Sequence, residues 1–157
     1  MRTALEAVAA SDTDGLIRLE ALLSLVSAGV CNVTVARTLA ALMPQLNCQS
    51  SIWGSKHGVF DAIAVLPCVP EMVKAVSTVC SSRSAGARLQ EQLLAALHSS
   101  CVVTDEDATA LTRMMVDDSD LAQFCVQPLW RYMVKYIQEA QRMLPNDIVD
   151  LLRNASG

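Results

Sequence analysis

The chain has 157 residues, of which 52% are apolar, and its net charge is −4; that is enough for one domain held by burial, without disulfide or metal staples. The mild charge, with acids and bases interspersed, argues against a primary nucleic-acid binder, because counterion-driven binding has little to work on without a local basic patch. No run approaches about eighteen uninterrupted apolar residues, so no membrane span is expected.

Only six residues are aromatic, and Ala, Val, Leu and Met supply most of the apolar mass. That composition favours helix over sheet, with Val as the dissenter. Residues 1–10 read as a short N-terminal helix or flank. In "SDTDGLIRLEALLSLVSAG", Asp12, Thr13 and Asp14 offer caps and Gly29 offers the stop. Between them Ile17, Leu22, Leu25 and Val26 recur at helical spacing. Asn32 caps "VTVARTLAALMPQL", whose Val35, Leu39, Leu42, Met43 and Leu46 form one stripe. A third helix is expected from Ser50 or Ser51 through "IWGSKHGVFDAIAVLP" to Pro67. There Gly54 and Gly58 read as points of close helix approach beside Trp53. Pro70 suits the first position of the helix "PEMVKAVSTVC".

The second half repeats this punctuation. Ser84 precedes "AGARLQEQLLAALHSS", and Thr104 with Asp107 makes a capping-box-like start to "DEDATALTRMMVD". Near Ser119 begins "DLAQFCVQPLWRYMVKYIQEAQRML", where Pro128 is expected to kink or split the helix. Pro145 opens "PNDIVDLLRN", expected to cap the assembly through Ile148, Leu151 and Leu152, which share one helix face.

Taken as pairs, the first helices start near residues 13, 51, 85 and 119, and the second helices near 32, 70, 105 and 145. Both series step by roughly 34 to 40 residues, the spacing of helical repeats. The stretch "GLIRLEALLSLVSAGV" even returns in looser form as "GARLQEQLLAALHSSC". A single pair cannot bury its own apolar face, so equivalent helices need the same pattern to stack. Through "TVARTLAALMPQL" and "MVKAVSTV" the chain resembles the armadillo and HEAT class of α-solenoids. The resemblance implies an all-α, right-handed stack of about four antiparallel helix pairs forming one domain over residues 1–157. The alternative is a compact helical bundle of another topology.

No catalytic or metal constellation emerges. Cysteines at 31, 48, 68, 80, 101 and 125 contain no Cys-x-x-Cys, and His57 and His98 sit on different expected helices. The opening "MRTALEAVAASDTDG" lacks the apolar core of a secretory signal. The cysteines therefore read as reduced thiols in a cytoplasmic compartment, in a protein associated with a complex or the cytoskeleton. "GSKHG" lacks the spacing of a phosphate loop. The acids at 105–107 and at 117, 118 and 120 fall near expected helix starts, where they serve the dipole.

Two features point to a partner. One basic residue lies in each second helix, Arg37, Lys74, Arg113 and Arg153. In a stack these make a ladder for an acidic segment, unless they pair with acids such as Glu71 and Asp150. The second feature is "LWRYMVKYIQEAQRM", where Trp130 reads as core. Tyr132 and Tyr136, flanked by Arg131 and Lys135, have the composition of an interface hot spot. The expected function is a non-enzymatic protein-interaction module, an adaptor or structural subunit that docks a peptide or neighbouring subunit without a cofactor. A helical-repeat nucleic-acid binder is the alternative, and a small thiol-dependent enzyme a third reading.

Overall fold

The computed structural model describes residues 2–11 and 14–143, together with Asp150, Arg153 and Asn154. Ile148, Leu151 and Leu152, expected to cap the assembly, lie outside the described residues. Among the described residues the chain is all-α, as its composition and periodicity imply. The helices are α1 (Arg2–Ser11), α2 (Gly15–Ser27), α3 (Val33–Leu42), α4 (Val59–Val65), α5 (Pro70–Cys80), α6 (Ala87–Ser99), α7 (Asp105–Asp117) and α8 (Ala122–Met143). Short 3-10 turns at Met43–Gln45 and Ser119–Leu121 extend α3 and introduce α8.

Local chemistry sets most boundaries. The Asp14 carboxylate accepts from the Leu16 amide at 2.9 Å, Asn32 Oδ1 from Val35 at 2.9 Å, and Thr104 Oγ1 from Asp107 at 3.1 Å. Each satisfies an amide that the helix's first turn leaves without an internal partner. Pro70 opens α5, where its missing N–H costs nothing. At the end of α2, Gly29 takes φ +92°. The Val30 amide donates to Leu25 O and the Gly29 amide to Val26 O, both at 2.9 Å, which closes a Schellman motif.

The apolar stripes meet in one cluster. Leu19, Leu22 and Leu25 of α2, Leu39 of α3, Ile63 of α4, Met72 of α5, Leu93 and Leu97 of α6 and Leu111 of α7 are all enclosed. Each such side chain contributes about 1.5–3 kcal/mol relative to exposure. Contacts run in chain order: α1 against α2, α2 against α3 and α4, α4 against α6, and α6 against α8. In parallel, α3 packs on α5 and α5 on α7, while α5 also touches α6, and α7 lies along α8. Deep in the structure, the segment between α4 and α5 meets the one between α6 and α7. The Cys68 amide donates to Cys101 O at 2.8 Å, and the buried Ser100 hydroxyl donates to Leu66 O at 2.7 Å.

The structure corrects the expected start of the third helix. The third helix does not begin near residue 51, because α4 starts only at Val59 and residues 51–57 form turns. Trp53 is buried and its indole donates to Asn47 O at 3.0 Å, so it plugs the turn region from inside. His57 sits at φ +58°, and its amide donates to the Asp61 carboxylate at 2.9 Å, just ahead of α4. Gly58 is needed by this same loop rather than by a neighbouring helix, since an added Cβ would lie 2.4 Å from Ile52 O and 2.7 Å from Ser55 O. Helix α6 follows Gly86, which caps it without a side-chain bond. Of the two outcomes expected at Pro128, a kink or a split, the split does not occur, since α8 runs unbroken from Ala122 to Met143. Phe124, Cys125, Pro128 and Leu129 are buried together, and this packing holds the turn that the proline weakens.

These contacts rank two glycine substitutions. Gly29→Ala meets open space and should cost only the left-handed backbone penalty, about 1–2 kcal/mol. Gly58→Ala should cost clearly more, because two backbone oxygens must move. Urea denaturation of both variants checks the order.

Candidate functional site

Helix α8 carries an apolar sector wider than the core can cover. Its inner part, Cys125, Pro128 and Leu129, is buried, and Tyr132 is half-buried against the core. The next part of the sector faces outward. Trp130 is 62% exposed, Met133 53%, Tyr136 62% and Ile137 51%. Trp130 is therefore not core, contrary to the expectation from its spacing. The core lies on the other side of Leu129, and among the described residues no further helix covers the outer face.

Helix α7 supplies the opposite wall. Asp105, Ala108, Thr109, Thr112 and Met115 face Val126, Gln127, Leu129, Trp130, Tyr132, Met133 and Tyr136 across a groove of about 680 Å³. Its surface is mostly apolar, with Asp105, Thr109, Thr112 and Gln127 as the polar exceptions. Among the described residues ten large apolar side chains are exposed. Six of them, Val116, Val126, Trp130, Met133, Tyr136 and Ile137, belong to α7 and α8. This concentration sets the α7–α8 face apart from scattered exposed apolar residues, which are ordinary.

The expected interface residues divide around this groove. Tyr132 and Tyr136 stack with ring centroids 6.5 Å apart and both line it. Arg131 and Lys135 are exposed but do not line it. Of the basic series, Arg37, Lys74, Arg113 and Arg153 are all exposed, on α3, on α5, on α7 and near the C-terminus. Arg37 reaches two acids, one on α5 and one on α7. Its Nε lies 3.6 Å from Glu71 Oε1, and its guanidinium 3.7 Å from Asp107 Oδ1.

Periodicity also missed Asp107. It reads as one of three exposed capping acids, yet it is buried, and its Oδ2 has no hydrogen-bond partner. The Arg37 charge and the N-terminal end of α7 offset part of the cost of burying a carboxylate. The signal in the sequence is position: Asp107 stands one turn before Leu111, on the face that α7 turns inward.

The six cysteines are free. Burial pushes the Cys68 thiol up from an ordinary 9.0 to about 12, with Cys125, Asp107 and Cys101 adding to the shift and Ser100 opposing it. Burial likewise pushes Cys125 up to about 11 and raises Cys80. A nucleophilic thiol requires the opposite shift. Among the described residues no group of three or more His, Cys, Asp or Glu is placed to hold a metal ion. No helix among them is long and apolar enough to cross a membrane.

No protein-family model matches the chain, and neither a curated protein nor a solved structure matches it at a significant level.

The thiols give a pH prediction with a definite sign. A thiol whose folded pKa is raised stays neutral in the fold while the unfolded chain ionises first. Its stabilising contribution is complete below about pH 9 and is lost as pH rises from 9 toward 12. Urea-derived stability should therefore fall between pH 9 and 11, and Cys68→Ala should make that fall shallower.

Proposed function

We propose that the chain is a non-enzymatic protein-interaction module, an adaptor or structural subunit of a larger assembly, which docks an amphipathic helix of its partner between α7 and α8. The observation that carries this reading is the exposed apolar wall of Val126, Trp130 and Met133 facing Met115 across the groove. A helix laid into such a groove anchors through residues at i, i+3, i+4 and i+7, and Trp and Tyr are the side chains that most often dominate binding energy.

The order of helix contacts supports a solenoid-like stack of the armadillo and HEAT kind, with α2, α4, α6 and α8 in one row and α3, α5 and α7 in the other. In such a stack the outer face of α7 and α8, which no further helix covers among the described residues, is the natural place for a foreign helix. Lys74 and Arg113 offer a second contact for an acidic segment of the partner, while Arg37 is already engaged with Glu71 and Asp107. Raised thiol pKa values weigh against nucleophilic chemistry. Free cysteines support a reducing, cytoplasmic setting.

Once affinity purification with mass spectrometry has identified a partner, groove variants test the reading. Trp130→Ala with Met133→Ala should weaken binding by on the order of 2 kcal/mol or more with little change in melting temperature, because both side chains are more than half exposed. Leu129→Ala, at 7% exposure, should instead destabilise the fold by about 2–5 kcal/mol. Lys74→Glu with Arg113→Glu should weaken binding in a salt-sensitive way if an acidic segment lies there. Unchanged affinity in the Trp130/Met133 variant, with the fold intact, removes the groove as the docking site.

A further inference from the structure

The exposed residues of α8 follow a regular spacing. Val126, Trp130, Met133, Ile137 and Ala140 succeed one another in steps of four, three, four and three residues, and all five are exposed. A mean step of about 3.5 residues is the seam of a coiled coil, where alternate a and d positions face a second helix with the same repeat. The chain's own core does not use this seam. It takes the neighbouring sector, with Cys125 and Leu129 buried, and leaves the seam outside. The positions that flank the seam on α8 are Gln127, Leu129, Val134 and Tyr136, none of them charged.

We propose that the helix docked here is α8 of a second copy of this chain, so that two copies pair antiparallel about a two-fold axis; the inference rests on the docking reading above and names its partner. Self-complementarity carries it. With the axis level with the Arg131–Tyr132 peptide, Val126 of one copy faces Ile137 of the other and Trp130 faces Met133, so the four large seam residues cover one another with none left over. Both Trp130 indoles then lie at the centre, each against a thioether, which is a favourable pair. Aromatic side chains at the centre of an interface carry much of its energy. Because the flanks are uncharged, two chains of net charge −4 meet along a neutral strip, without like charges opposed across it. The area is also sufficient. Val126, Trp130, Met133, Tyr136 and Ile137 are each about half exposed or more and offer on the order of 500 Å² of side-chain surface per copy. Pairing removes about 1,000 Å² in all before the polar rims are counted, which is what a specific but weak and reversible dimer needs.

Sedimentation equilibrium of the full chain from about 1 µM to 1 mM tests this, with tryptophan emission read over the same range. Wild type should pass from monomer to dimer with a micromolar Kd. Emission should shift to the blue as the dimer forms, because Trp53 is already buried and only Trp130 changes its surroundings. Met133→Asp should raise Kd by about tenfold or more, with an unchanged melting temperature, since the side chain is 53% exposed. Ile137→Glu should weaken pairing in the same way, and adding Val126→Lys should recover most of the loss, because the antiparallel register sets the new ammonium at position 126 against the new carboxylate at position 137 of the second copy. A wild-type chain that stays monomeric up to about 1 mM, a dimer indifferent to Met133→Asp, or a double variant that pairs more weakly than Ile137→Glu alone overturns the proposal. Failure here is distinct from failure of the docking reading, which is decided by the affinity of the Trp130/Met133 variant for a different, purified partner.

Discussion

A helix that is apolar along one stripe must find another helix to cover it, and every other feature of this chain depends on that requirement. Here the cover is supplied in order along the chain, α2 over α4, α4 over α6 and α6 over α8, with α3, α5 and α7 alongside. Aliphatic side chains carry most of the burial, which suits close stacking of successive helices with few aromatic fillers. The same requirement has a cost at the last pair. Among the described residues no further helix covers the face that α7 and α8 turn outward, and its apolar residues stay in water unless something else covers them.

Among the described residues, some of the polar groups in this core lie where the chain must cross it. The two connecting segments that meet beneath the helices bring peptide groups out of water, and a buried amide or carbonyl without a partner costs more than a hydrogen bond returns. Ser100 and the Cys68 amide meet that need by bonding Leu66 O and Cys101 O. Asp107 is the contrasting case. Its carboxylate is enclosed, with Arg37 near one oxygen and no hydrogen-bond partner at the other. Arg37 lies within reach of acids on α5 and α7, so the one basic residue tied into this network links three helices rather than waiting for a partner's charge.

How far the sequence could be read follows from the range of each interaction. Caps are local, so Asp14, Asn32, Pro70 and Thr104 mark their helices from neighbouring residues alone, and Gly29 marks a stop. The loop before α4 was not legible. Its apolar residues Ile52 and Trp53 carry helical spacing, but Trp53 is held by Asn47 O and the chain turns at His57 and Gly58, and these are contacts that periodicity does not encode. Trp130 failed for a related reason. A helical wheel gives the angle of a side chain, but which angle meets the core depends on where α6 and α7 lie, and α8 presents about half of its apolar sector to them. The Tyr132 and Tyr136 pair was legible as an aromatic cluster, and it lines the groove. Its basic flanks Arg131 and Lys135 do not, because they sit around the helix from the apolar stripe. Asp107 resembles its neighbours Asp105 and Glu106 in residue type, and only its place one turn before Leu111 sets it apart.

The balance between burial and charge on this surface also bears on what can bind it. A site that works through electrostatics needs several like charges held in one field, and with a net charge of −4 and Arg37 already facing two acids the basic series forms a weak field at best. The groove works differently. Trp130, Met133 and Val126 gain from any contact that removes them from water, and the polar lining, Asp105, Thr109, Thr112 and Gln127, is sparse enough to orient a ligand without demanding a charge from it. Affinity at such a site should therefore depend little on ionic strength and strongly on the shape of the apolar ridge presented to it. An amphipathic helix meets that requirement, because its side chains repeat at the same spacing as those of α8.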